Sequence, residues 1–223
     1  MENKGLGTEW ADYLQLQKDR PELFADNGSL HIMLDASVVA DYVKRTGRKI
    51  GVLYKSAYTM MLVDLVYEEE GSYYAYERLV PAVAKGAVVM ITKYEGKMIL
   101  LKQYRHAIRD YQYAFPRGFA EEGISAEDNC EKELQEEIGA MVKKVSFLGM
   151  IAPDSGMQQV QVSAFLCEIE KYDACMHTEG IHKIITVSRD ELDKMIASGE
   201  ITDGFTLAAL SLYDAKSDEN KGE

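Results

Sequence analysis

Apolar residues along the chain change period several times, and each change predicts an element. Over residues 8–20, TEWADYLQLQKDR, the residues Trp10, Tyr13 and Leu14 share a helical face. Pro21 ends that helix, because the residue before a proline is driven out of the helical region. Packing is the expected use of Trp10, with stacking on a base as the alternative. After the loop FADNGS, the segment LHIML predicts a short strand, and residues 37–45 a short helix ended by Gly47. Residues 51–80 are rich in aromatic and branched side chains and turn at EEEG, which predicts a strand pair or a small antiparallel sheet. Residues 87–105 predict two strands about a Tyr-Glu-Gly-Lys turn, ending in the basic cluster Arg105, His106 and Arg109. A glycine-bounded loop then feeds a helix begun by Ser125, with Asp128 as its capping-box partner. VSFLGMIAPDSG and VQVSAFLCEIE predict two further strands, with residues 153–156 as a loop beside the site. The tail predicts a helix capped at Ser188 and ended by Gly199, a second from about Thr202, and a frayed end at SDENKGE.

The helix after Ser125 carries the candidate chemistry. At about 100° per residue, Glu133, Glu136 and Glu137 fall within an arc of roughly 100°, beside a stripe of Cys130, Leu134, Ile138 and Met141. Three carboxylates so spaced repel one another unless a cation lies between them. Mg²⁺, held by oxygen ligands, water and substrate phosphates, suits that place. Taken alone, E-x-x-E-E reads more simply as a solvated helix face.

The preceding loop changes that reading. FPRG, GFAEEG and KELQEEIGA together resemble the Nudix box, G-x5-E-x7-R-E-U-x-E-E-x-G-U with U aliphatic. Gly118, Glu133, Leu134, Glu136, Glu137 and Gly139 stand at the required spacings, and Ala140 fills the last position. Two positions depart from the pattern: Ile124 replaces the first glutamate and Lys132 the arginine. The resemblance implies that those two support the loop and helix while the later glutamates bind metal. Lys132 keeps the charge without a planar grip on a carboxylate, and Ile124 takes a partner for it away.

QYR before the box resembles the ADP-ribose pyrophosphatase branch of the family, which implies that Arg105 contacts phosphate. Its guanidinium fork suits phosphate oxygens, and Arg109 remains open between that role and a solvated strand end. That branch has Glu-Leu-Pro-Ala-Gly where this chain has Ala114-Phe115-Pro116-Arg117-Gly118. The resemblance thus puts Arg117 where a small residue offers its carbonyl to metal; that carbonyl is still available, and the larger side chain is expected to contact substrate and to change the pocket. Gly118 is assigned to the metal site with the three glutamates. Glu179-Gly180-Ile181 resembles a Glu-Asp-Ile-like segment, so Glu179 is expected to contact metal or activate water. ITDGFTLAAL resembles the branch's C-terminal segment.

Composition restricts the partners. The net charge of −12 opposes electrostatic binding to nucleic acid or an anionic membrane. Cys130, Cys167 and Cys175 are odd in number and lack C-x-x-C spacing, which fits reduced thiols in a cytoplasmic protein better than a catalytic cysteine. His177 and His182 have no cysteine pair with which to form a zinc site. MENKGLGTEW has no apolar leader core, and no stretch approaches membrane-spanning length.

These readings predict an α+β protein of Nudix fold, a mixed β-sheet sandwiched between α-helices, with an N-terminal α/β extension over residues 1–84. The hydrolase domain is placed at 85–216 and a flexible tail at 217–223. The expected activity is Mg²⁺-dependent hydrolysis, with Mn²⁺ as the substitute metal, of a nucleoside diphosphate linked to another moiety, ADP-ribose or a related nucleotide sugar. Either a box glutamate or Glu179 is the base, and the resemblance implies a homodimer. The rivals are a weakly catalytic nucleotide-binding or regulatory module and an interaction protein using the tyrosine-rich N-terminal sheet.

Overall fold

The computed structural model describes residues 6–26, 28–69, 71–82, 86–121, 123–175 and 180–219. It divides into two compact units: Met1–Ala84 together with Asp154–Gln159, and Lys85–Pro153 together with Val160–Glu223. Among the described residues no helix is long and apolar enough to cross a membrane.

The first unit contains α1 (Thr8–Asp19), a 3₁₀ turn (Pro21–Phe24), β1 (His31–Ile32), α2 (Ala36–Thr46), β2 (Gly51–Lys55), β3 (Thr59–Tyr67) and β4 (Tyr74–Pro81). Strand β3 is the centre of an antiparallel sheet: β2 and β1 pair with successive parts of it, and β4 pairs along most of its length. Trp10 and Tyr13 of α1 stack at 5.4 Å with no exposed surface. Trp10 is therefore core, out of reach of any base. Leu14 is only partly buried, and Leu16 completes the face instead. Helix α2 starts at Asp35, whose carboxylate accepts from Ser37 N at 2.7 Å, and stops at Gly47 in the left-handed region. A Cβ on Gly51, where φ is +129°, would lie 2.2 Å from the Glu9 carbonyl oxygen, so α1 can approach β2 only because that residue is glycine.

A buried ionic network crosses this unit. Asp64, 2% exposed, receives Arg78 Nε at 2.5 Å and Nη2 at 3.2 Å, and Tyr13 Oη also donates to it. Burial, followed by the Asp64 charge, pushes the Tyr13 phenol far above its ordinary pKa, so it stays a donor. Arg78 Nη1 donates to Gln159 Oε1 at 2.8 Å. Leu79 N donates to Met157 O at 2.8 Å and Gln159 N to Leu79 O at 2.9 Å. Thus the stretch just after the loop expected beside the site is hydrogen-bonded along β4, and Tyr76 Oη of β4 donates to Gly156 O within that loop.

The second unit contains β5 (Ala87–Tyr94), β6 (Lys97–Arg105), β7 (Asp110–Ala114), β8 (Arg117–Phe119), α3 (Ala126–Ile138), β9 (Met141–Ile151), β10 (Val162–Lys171), β11 (Ile181–Val187), α4 (Arg189–Ala197) and α5 (Gly204–Glu219). Its sheet has the order β11-β6-β5-β10-β9, parallel between β5 and β10 and antiparallel elsewhere. β5 reads as an unbroken apolar run because both of its faces are covered. Val88 and Met90 meet Cys130, Leu134 and Ile138 of α3, while Val89 and Ile91 meet Leu192 of α4 and Ala209 and Leu210 of α5. The mixed sheet therefore lies between helices. α5 runs to Glu219, so residues 217–219 of the expected loose tail are helical.

The strands β5 and β6 are bonded to each other only near their turn, at Thr92–Tyr94 and Lys97–Ile99. Farther along they part, and the next stretch of chain fills the opening. β7 pairs with Leu101–Arg105 of β6, then β8 pairs with Ala87–Val89 of β5. This parting places Arg105 and Arg117 on the two sides of one opening.

Arg78→Met would leave Asp64 buried without its bidentate partner. The expected cost is about 3–5 kcal/mol, read as a lower urea midpoint for the first unit. An unchanged midpoint would contradict the network's role.

Candidate active site

Helix α3 is set by its ends and its apolar stripe. Ser125 Oγ accepts from Asp128 N at 3.0 Å, while among the described residues the reciprocated capping box is at Ser188 and Glu191. At the other end Gly139 adopts φ 61°, its N–H reaching Gln135 O at 3.0 Å and that of Ala140 reaching Leu134 O at 3.1 Å. This glycine closure turns the chain directly into β9. Met141, expected on the helical stripe, instead starts that strand and is 46% exposed.

With Cys130, Leu134 and Ile138 buried, the three glutamates occupy different depths. Glu137 is buried, Glu133 partly buried and Glu136 exposed. The Glu133 carboxyl group lies against the Gly118 backbone: a Cβ there would stand 1.9 Å from its carboxyl carbon and 2.1–2.3 Å from its oxygens. Only glycine leaves that space. Asn129, with no exposed surface, holds the same junction by donating from Nδ2 to Phe119 O at 3.1 Å. Sequence reasoning passed over Asn129. Its only signal was an amide next to the buried Cys130.

Lys132 does have a carboxylate partner despite Ile124. Its ammonium bonds to Glu121 and stands 3.6 Å from Glu136 Oε1. The expectation that Ile124 takes that partner away is corrected: Glu121, three residues earlier, reaches the same lysine. Glu121, followed by Glu136, holds the Lys132 ammonium above its ordinary pKa.

The arginines face this acidic helix from the parted sheet. Arg105 is partly buried, and its Nε is buried without a hydrogen-bond partner. Burial, then the nearby Arg117 charge, lowers its pKa, against Asp203 and Glu137. Arg117 Nη1 lies 3.2 Å from Asp203 Oδ1, and its guanidinium sits 4.7 Å from the centre of the Phe205 ring. Asp203 Oδ2 also accepts from Thr206 N at 2.9 Å and Thr206 Oγ1 at 2.8 Å. Thr206 Oγ1 in turn accepts from Phe115 N at 3.0 Å. The start of α5 is therefore latched to the link between β7 and β8. The sequence reading gave α5 a covering role alone and missed Asp203.

Other candidates separate from this group. Arg109 sits in a turn with positive φ, its Nη1 3.1 Å from His106 Nδ1, and both residues are exposed. Glu179 and His177 lie outside the described residues. Cys130 and Cys167 are buried, and contact with Cys167, followed by burial, raises the Cys130 pKa, which disfavours a nucleophilic thiolate.

The donors along α3 are hard oxygens, suited to a divalent cation of the Mg²⁺ kind. Among the described residues, no three or more His, Cys, Asp or Glu side chains gather as a metal cage. Mg²⁺ with phosphate commonly needs only one or two carboxylates, water and the substrate's own oxygens. The residues fit that open mode of binding.

Residues 83–203 match the family model described as the NUDIX domain. The chain is 28% identical over 134 residues to the ADP-ribose pyrophosphatase of Bacillus subtilis (strain 168), covering 58% of this chain and 71% of that protein. It is 29% identical over 91 residues to the ADP compounds hydrolase NudE of Escherichia coli (strain K12), covering 41% and 48% respectively. A crystal structure of an ADP compounds hydrolase shares the fold with a TM-score of 0.66 at 16% identity, over 76% of this chain and 91% of that one.

Gly118→Ala is expected to displace Glu133 or to part β8 from β5, visible in a crystal structure of the variant; an unmoved Glu133 would refute the contact. Asp203→Ala is expected to cost about 1–3 kcal/mol in thermal unfolding, with Asp203→Asn costing less because asparagine still caps α5. Equal losses would show that capping contributes little there.

Proposed function

The chain belongs to the Nudix family as one of its pyrophosphohydrolase enzymes, and we propose that it cleaves a nucleoside diphosphate linked to a second moiety, ADP-ribose or a related nucleotide sugar, at the pyrophosphate. The observation that carries this reading is the Glu133 carboxyl against Gly118, with Glu137 buried one turn farther along the same helix. The names of the similar proteins support the choice of ADP-linked substrates.

In this reading Glu133, Glu136 and Glu137 hold Mg²⁺, or Mn²⁺ in its place, with the Gly118 turn forming the floor. A bound divalent ion supplies charge neutralisation of the pyrophosphate and orientation of water. Arg105 receives a phosphate oxygen, because its buried Nε otherwise lacks a hydrogen-bond acceptor. Arg117, held by Asp203 and Phe205, lines the substrate side of the opening. A box glutamate or Glu179 takes the water proton. The products are a nucleoside monophosphate and the phosphorylated remainder.

The rival, a nucleotide-binding module without efficient turnover, was motivated by Ile124 and Lys132. The Lys132–Glu121 contact supports turnover instead, because the loop and helix keep a charged tie.

Hydrolysis of ADP-ribose, nucleotide sugars and dinucleotides with Mg²⁺ and Mn²⁺, with identification of products, tests the assignment. Glu137→Gln is expected to lower turnover by about 10²–10⁴-fold if that residue serves as the base, and severely if it holds metal. Unchanged metal-dependent hydrolysis in that variant rejects the site, and tight ADP-ribose binding without hydrolysis by the wild type selects the binding module.

A further inference from the structure

Arg117 stands where the pattern that this chain resembles has a small residue, and the structure ties it down on two sides. Its Nη1 bonds to Asp203, whose side chain is 5% exposed, and its guanidinium lies over the Phe205 ring. An ion pair and a ring face hold the fork in place yet use little of it, because a guanidinium carries five N–H donors. Across the opening stands Arg105, whose buried Nε has no acceptor. The Arg117 charge acts on Arg105 more strongly than Asp203 or Glu137 does, so the two guanidiniums are near neighbours. Among the described residues no carboxylate is ion-paired with both. Like charges held side by side repel, and an oxyanion that bonds to both removes the repulsion.

We propose that Arg105 and Arg117 form one anion subsite, which takes the oxygens of a single phosphate group between two guanidinium forks and needs no metal ion to do so. The Arg117 half of it comes from this chain's own departure at that position.

What the subsite does in turnover rests on the pyrophosphohydrolase reading. Hydrolysis adds water across the P–O–P bridge: the water oxygen bonds to one phosphorus, the bridging oxygen leaves on the other, and the protons of water pass to the base and to solvent. Each phosphate enters as a diester with one negative charge and leaves as a monoester with about −1.5 to −2. Two cations therefore hold the product phosphate more tightly than the same phosphate within the substrate. Arg117 governs product release as well as substrate binding.

The test titrates the full chain in EDTA with methyl phosphate, a monoester, and dimethyl phosphate, a diester, and follows the arginine Nε–H signals by NMR. Wild type is expected to bind the monoester at least about fivefold more tightly than the diester, with the Arg105 signal shifting. Arg117→Gln keeps a donor for Asp203 and is expected to weaken monoester binding about tenfold and to diminish the Arg105 shift. Arg117→Lys keeps the charge without the fork, with an expected loss of about threefold, and carries the same test if Arg117→Gln does not fold. Arg109→Gln removes the same charge from an exposed turn and is expected to change little. Unchanged monoester affinity in the folded Arg117 variant, or equal losses in it and Arg109→Gln, overturns the shared subsite. Equal affinity of the wild type for the two esters overturns the role in product release. A wild type that binds neither ester in EDTA overturns the inference whatever its activity, and Mg²⁺-dependent hydrolysis of ADP-ribose decides the reaction separately.

Discussion

Cys130, Leu134 and Ile138 have no exposed surface, and together they fix how α3 is turned about its own axis. Burying Leu134 and Ile138 contributes about 1.5–3 kcal/mol each. Repulsion between neighbouring carboxylates on a helix is only about 0.2–0.5 kcal/mol per pair. The apolar term therefore decides the rotation, and the charges must accommodate it. Glu137 is carried inward, Glu133 is brought against the β8 backbone, and Glu136 is left outside. The acidic group owes its form to the greasy side of the same helix.

A second constraint is closure of the parted sheet. β5 and β6 separate, and β7 and β8 fill the gap with strands of only 5 and 3 residues. Strands that short need outside support. The support comes from the far end of the chain, where Asp203 and Thr206 hold Arg117 and Phe115 across sequence separations of 86 and 91 residues. The opening is therefore complete only once α5 is in place. Loop closure over such distances is slow to form compared with the local turn between β5 and β6.

The parts of the fold carried by long, regular patterns were legible in the sequence. α1, α3, β5 and β6 announce themselves by period and by Pro21, Ser125 or the glycine turn. The helical stripe was extended one position too far, to Met141, because periodicity alone does not register that Gly139 has already reversed the backbone. β7 and β8 were missed because strands of five and three residues hold too little pattern to distinguish them from loop. The glutamates were legible through their spacing from Gly118, yet their unequal depths were not, since burial depends on which strands lie opposite. Glu121, Asn129 and Asp203 are ordinary polar residues in sequence. Each acquires its role from a neighbour 11, 10 or 86 positions away.

The path of Asp154–Gln159 has a consequence for modularity. The chain passes between the two compact units three times, at 84/85, 153/154 and 159/160, so no single cut separates them. A piece beginning at Lys85 would keep a hexapeptide whose Met157 carbonyl and Gln159 amide had lost Leu79, and whose Gln159 side chain had lost Arg78. Exchanging the first unit for another would require that hexapeptide to be exchanged with it. The part of the protein that can be transplanted is discontinuous in sequence.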